Sequence, residues 1–202
     1  TRMVEPVRGV CALVLAAGQG SRYREHADQD KLLAPCNRTP DAPPVLAATL
    51  GALCGVAERL VVVTRDDNSE LLAWLGQQAD WYGAEVLAVH TQGLGHSLAQ
   101  ALRQCPSDKG WLVALGDMPY VRPATFRRIA EQIEPPRLVV ASHQGQRGHP
   151  RGIGRDHALQ VISLDGERGA QALFSSGAAW EVEVDDSGVL QDIDRPDDRR
   201  NS

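Results

Sequence analysis

Short apolar runs at residues 10–15, 59–64, 85–89, 111–115 and 138–141 alternate with segments that carry helix signals. This alternation limits the fold more than any other feature. Each run has strand length and is bounded by turn residues, as in strands buried on both faces of a parallel sheet. Between the runs, 45–56 follows Pro44, 69–78 follows the capping residues Asp67-Asn68-Ser69, 97–104 follows a glycine turn, and 123–133 opens with proline. Each predicts a helix. Parallel strands need such crossovers. The order therefore predicts a single three-layer, Rossmann-like α/β domain over 1–202 with a mostly parallel central sheet. Further along, 143–154 reads as a glycine-rich loop, and 155–161 and 168–174 as short helices. Residues 180–184 and 189–191 read as strands around a turn, and 192–200 as a polar ending.

Composition sets outer limits. With 43% apolar residues the chain has material for a core, which argues against disorder. A net charge of −5 disfavours sequence-independent nucleic-acid binding. The cysteines at 11, 36, 54 and 105 have no Cys-x-x-Cys spacing and read as reduced, structural thiols. No apolar run reaches the length of a membrane span, and residues 1–8 lack the apolar stretch of a signal peptide. The expectation is a cytoplasmic protein with neither membrane nor nucleic-acid partners.

In a parallel α/β sheet, ligands bind outside the carboxyl ends of the strands. Three chemically loaded segments fall there: 18–31, 93–97 and 116–119. The first, Leu15-Ala16-Ala17-Gly18-Gln19-Gly20-Ser21-Arg22, leaves a buried strand through small residues and glycines. Glycines bring backbone N–H groups against an anion, and Ala16 and Ala17 leave room for a flat ligand. Arg22, Arg24 and Lys31 follow, a basic cluster suited to a polyphosphate. The P-loop pattern is absent, and Tyr23 stands where a dinucleotide fingerprint needs its third glycine. A tight turn with solvated arginines would use the same residues.

Leu115-Gly116-Asp117-Met118-Pro119 puts an acid at a strand tip, with Pro119 turning the chain away. Opposite a triphosphate, such a carboxylate suits Mg²⁺, which combines one or two carboxylates with phosphate oxygens and water. An aspartate before a proline is also a common turn former. No zinc spacing and no Gly-x-Ser-x-Gly elbow is present.

The glycine loop with Lys31-Leu32-Leu33, together with Gly116-Asp117-Met118-Pro119, resembles the signatures of the MobA-like nucleotidyltransferases, and within them the molybdenum cofactor cytidylyltransferase branch. The resemblance covers about 10–198. It implies a nucleotidyltransferase that uses Mg²⁺ to pass CMP from CTP to molybdopterin, with GTP or another phosphorylated acceptor as the alternative. It also implies a molybdoenzyme as a possible partner. Carried over residue by residue, it makes Leu15, Ala16, Ala17, Gly18, Gly20, Arg22 and Lys31 the nucleotide loop, with Arg22, Lys31 and Asp117 catalytic. Gly93 and Ser97 in Gly93-Leu94-Gly95-His96-Ser97 would meet base and ribose. Ser97 at a helix start would serve equally as a cap. Asp194 in Asp192-Ile193-Asp194-Arg195-Pro196 would join Asp117 at the metal. His149 and Arg151 in the Gly148-His149-Pro150 segment would steer an anionic acceptor, while Asp165 to Ala170 shape its pocket. The chain departs from the family in one place: Lys31 lies nine residues after Arg22, where the family has about five. That interval also fits a non-catalytic nucleotide- or cofactor-binding maturation protein.

Overall fold

The apolar run at 10–15 becomes the middle of the molecule. In the computed structural model, which describes residues 4–18, 30–91, 94–163, 167–176 and 178–202, β1 (Val7–Leu15) lies between β2 (Ala57–Arg65) and β4 (Gly110–Leu115) and runs parallel to both. β3 (Ala84–Val89), β5 (Leu138–His143), β6 (Gln146–Gly154) and β7 (Trp180–Glu183) complete a seven-stranded sheet of order β3-β2-β1-β4-β6-β5-β7. β6 alone runs antiparallel to its neighbours β4 and β5. The helices are α1 (Val45–Leu53), α2 (Ser69–Gln78), α3 (Leu94–Gln104), α4 (Pro123–Glu131), α5 (Ala158–Ser163) and α6 (Glu167–Ser175). Among the described residues, no helix is long and apolar enough to cross a membrane.

Side-chain alternation along the strands divides the core in two. Ala12 and Val14 of β1, with Val62 and Leu112, face α1, α2 and α4 through Leu50, Leu71 and Phe126. Cys11, Leu13 and Leu15, with Val63 and Val113, face α3, α5 and α6 through Leu102, Val161 and Phe174. A strand covered on both faces has no polar side, which is why β1 reads as an unbroken apolar run. The expected three-layer architecture is present. The four cysteines are free, with Cys11, Cys36 and Cys105 buried and Cys54 exposed.

Two expectations fail. The segment 143–154 is not a loop: Gln144 and Gly145, both with positive φ, form a tight turn, and Gln146–Gly154 is strand β6. Its glycines serve close packing. A Cβ on Gly148 would lie 1.9 Å from the Val189 carbonyl oxygen, and one on Gly154 would lie 2.3 Å from that of Glu134. The strand expected at 189–191 is also absent, and Ser187–Leu190 forms a 3₁₀ turn. Asp186 imposes this turn by accepting from Gly188 N–H, Arg122 N–H and the Thr125 hydroxyl. Burial raises the Asp186 carboxyl, but these donors outweigh it and hold it below the ordinary value.

Candidate active site

From β1 the chain goes to β2 and β3 on one side, then crosses to β4 on the other. The switch opens a crevice beyond the paired ends Leu15 and Leu115. Ala16 and Ala17 are buried at its floor, with Ala16 N–H donating to the Val63 carbonyl, and Gly18 is exposed. Gly116 keeps the two strand ends close: its N–H donates to the Leu15 carbonyl, and a Cβ there would lie 3.3 Å from that oxygen. Gly20, Arg22, Arg24 and Gly93 lie outside the described residues, as does Asp165.

Asp117 sits at the tip of β4. The supposed polar ending folds back onto it, because Ile193 is fully buried and its N–H donates to the Asp117 carbonyl at 2.8 Å. The residues flanking Ile193 therefore both approach the site. Asp117, Asp192 and Asp194 each offer an oxygen, and the three oxygens lie within 4.8 Å of one another. Partial burial, then the charges of Asp117 and Asp194, raise the Asp192 carboxyl above its ordinary value. The Lys31 ammonium donates to Asp117 Oδ2 at 2.9 Å and lies 3.6 Å from Asp194 Oδ1. Asp117 Oδ1 is buried with no hydrogen-bond partner among the described residues. Three converging carboxylates, one with an unsatisfied buried oxygen, form a donor set that fits a hard divalent cation.

Lys31 is positioned from a distance. The preceding residue, Asp30, is buried, with Oδ1 accepting from Leu32 N–H and Oδ2 from the Asn68 side-chain amide at 2.9 Å. Asn68 also caps α2, its Oδ1 accepting from Leu71 N–H. One side chain thus starts a helix and fixes the turn that carries Lys31.

On the other face of the sheet, below the crevice, lies a cavity of about 260 Å³. Leu15, Leu98, Val113, Leu115 and Phe174 line it together with His149 and Arg151 of β6. The structure thus brings together the two residues expected on the acceptor side. Burial, and then the Arg151 charge, push the His149 imidazole down to about 3. His149 is neutral near pH 7 and cannot attract an anion by charge. Arg151 is the cation here. Its Nε donates to the Gly148 carbonyl and its guanidinium lies 4.9 Å from the centre of the Phe174 ring. α3 begins at Leu94, so Ser97 is buried one turn inside that helix and does not cap it.

Sequence reasoning missed Asp192, Asp30 and Asn68 as site residues. For Asp192 the signal was present: aspartates two apart around an apolar residue share a face when the chain is extended. The Asp30–Asn68 contact spans 38 residues and left no local trace.

The profile of the MobA-like NTP transferase domain matches residues 12–182. The bifunctional protein GlmU of Cereibacter sphaeroides is 30% identical over 175 residues, which cover 83% of this chain and 37% of that protein. The chain thus spans little more than a third of that relative. The molybdenum cofactor cytidylyltransferase of Escherichia coli K12 is 24% identical over 190 residues, 92% of this chain and 91% of that one. Among solved structures, Rv0371c from Mycobacterium tuberculosis H37Rv matches with a TM-score of 0.74 and 29% identity, covering 95% and 96% of the two chains. A structure of Rv0371C in complex with manganese matches at 0.67 and 28%, over 88% of each chain. Mth528, a nucleotidyl transferase from Methanothermobacter, matches at 0.74 and 25%, over 94% and 93%.

Proposed function

Since this chain belongs to the MobA-like NTP transferase family, we propose that it is a Mg²⁺-dependent nucleotidyltransferase that passes CMP from CTP to a phosphorylated acceptor, with molybdopterin as the acceptor and a molybdoenzyme as the downstream partner. The observation that carries this reading is the Asp117, Asp192 and Asp194 cluster with Lys31 beside it, placed at the switch point of the sheet.

An oxygen of the acceptor phosphate attacks the α-phosphorus. The bond from that phosphorus to the α,β-bridging oxygen breaks, and its electron pair leaves with pyrophosphate. A phosphate is already a nucleophile, so no side chain has to act as a strong base. The chain's work is positioning and charge neutralisation. Asp117, Asp192 and Asp194 would hold the Mg²⁺, which when bound neutralises and orients the triphosphate oxygens. Lys31, released from Asp117, would turn its ammonium to the phosphates, beside the backbone of residues 15–18. The family resemblance assigns Arg22 and Gly20, which lie outside the described residues, to the triphosphate as well, and Gly93 with Ser97 to the base and ribose. Arg151 and the neutral His149 receive the acceptor.

Pyrophosphate release measured with each of the four common nucleoside triphosphates, Mg²⁺ and molybdopterin tests the reading. Release with CTP that needs all three components supports it. Release with GTP alone would change the base. If CTP binds and no phosphorylated acceptor supports release, the transferase reading fails.

A further inference from the structure

The acids and the lysine of the site come from three separate stretches of chain: 30–38 carries Lys31, 115–120 carries Asp117, and 191–200 carries Asp192 and Asp194. Three carboxylates whose oxygens lie within 4.8 Å of one another repel, so the stretches have to be fastened together. We propose that Tyr120 and Arg200 form a clasp that positions Asp192 and Asp194 over Asp117, an inference that rests on the transferase reading of this site.

Tyr120 stands three residues after Asp117, with its ring packed against the core. Its hydroxyl donates to the Cys36 carbonyl and accepts from Arg200 N–H at 2.7 Å. One oxygen therefore joins all three stretches. From Cys36 the tie reaches Lys31 through a short run of backbone pinned at 2.8 Å by Cys36 N–H to the Pro43 carbonyl, Val45 N–H to that of Ala34 and Leu46 N–H to that of Leu32. From Arg200 it returns to the two aspartates. The Arg200 guanidinium lies 4.3 Å from the centre of the Tyr120 ring. Its Nε donates to Gln191 Oε1 at 2.9 Å, and its Nη2 to the Ser187 hydroxyl at 3.2 Å. Residues 191 and 200 are thereby fastened to each other, with Asp192 and Asp194 between them.

Other contacts hold the same stretch without setting the spacing of its acids. Buried Ile193 anchors its middle through the N–H given to the Asp117 carbonyl. Asp198 closes its turn by accepting from Asp194 N–H and Arg195 N–H. Arg38 ties it to the Lys31 stretch, with its N–H on the Arg200 carbonyl and its guanidinium on the Asp197 carbonyl, each at 2.9 Å. With the clasp undone, these contacts keep the stretch in place, and repulsion among the three acids spreads their oxygens. A small cation held by carboxylates demands close, near-ideal geometry, so a slight spreading costs metal affinity before it costs the fold.

Tyr120→Phe keeps the ring and removes the hydroxyl, and Arg200→Met removes the guanidinium of a half-buried side chain. Free Mn²⁺ counted by electron paramagnetic resonance, with CTP present and the binding to CTP alone subtracted, gives the affinity of the intact chain and of each variant. Each substitution is expected to weaken Mn²⁺ binding by about three- to tenfold, the range of one lost hydrogen bond. Combined with Asp194→Asn, Tyr120→Phe should add little to the loss from Asp194→Asn alone, because it acts through that carboxylate. Pyrophosphate release by Tyr120→Phe at limiting Mg²⁺ should fall, and should recover in part as Mg²⁺ is raised. Parental Mn²⁺ affinity in either variant, even with a lowered melting temperature, would overturn the inference, as would a fully additive loss in the double variant. If thermal melts show that Tyr120→Phe does not fold, Arg200→Met alone and with Asp194→Asn decides by the same criteria. The two readings fail separately. A parent chain that binds no Mn²⁺ with CTP removes the transferase reading and this inference with it, whereas a parent that binds it no better than the variants do removes this inference alone.

Discussion

The tip of β4 lies at the crevice and the inner length of β6 lines the cavity below it, and the two use charge in opposite ways. At the β4 tip, Asp117, Asp192 and Asp194 crowd together, and the Lys31 ammonium lies against Asp117 and Asp194. Along β6, an apolar cavity contains the Arg151 guanidinium, with no carboxylate partner among the described residues, and the His149 imidazole, which burial keeps neutral near pH 7. Among the described residues, the first region has surplus negative charge and the second a cation without a carboxylate partner. On the proposed reading, a metal–triphosphate complex would satisfy the first and an anionic acceptor the second.

The sharpest way to break this contrast is Asp117→Asn. It keeps the shape of the β4 tip, and pyrophosphate release should fall by about a hundredfold or more, the scale of losing a preorganised electrostatic group. Undiminished release would remove Asp117 from the chemistry.

Lys31→Gln separates two roles. The ammonium now occupies the space between Asp117 and Asp194, so its loss should raise the affinity for Mn²⁺ in the absence of nucleotide. The same change should weaken CTP binding by about tenfold, the worth of one charge-assisted contact. Effects of the same sign on both ligands would mean that Lys31 is only a structural partner of Asp117.

Asn68→Ser gives a smaller effect of the same kind. Serine still caps α2, so the melting temperature should stay near that of the parent. It cannot reach Asp30, so CTP affinity should fall by several-fold, and no further when combined with Lys31→Ala. An additive loss in the double variant would show that Asn68 acts by another route.

The smallest effect concerns pH. The folded His149 imidazole titrates near 3, whereas an unfolded one titrates near ~6.5. The unfolded chain therefore binds a proton that the folded chain refuses. The contribution of His149 is complete above about pH 6.5 and is lost as pH falls toward 3. His149→Asn should flatten the difference in urea stability between about pH 7.5 and pH 5. An unchanged difference would place His149 in a wetter, more polar setting.

The layered fold was legible because the buried strands β1, β2 and β4 are apolar runs and the crossovers open at a proline, a cap or a glycine turn. β6 was not, because its glycines looked like turn residues. They prove to be places where a Cβ would strike the carbonyls of Val189, Glu134 and Pro135. Asp117 could be found at the end of a strand. Asp192 could not be weighed until Ile193 was known to be buried, since only then do both of its neighbours face Asp117. The role of Asn68 depended on an N-cap also reaching a residue 38 positions away. Local spacing predicts the cap and is silent on the reach.

The most direct measurement is a Mn²⁺ titration followed by electron paramagnetic resonance, with CTP present, on the parent chain and on Asp117→Asn and Asp192→Asn. The account predicts that CTP tightens Mn²⁺ binding in the parent and that each substitution weakens it by about tenfold or more, the cost of one carboxylate ligand. Equal Mn²⁺ affinity in all three proteins would contradict the claim that these carboxylates hold the metal of a metal–triphosphate complex.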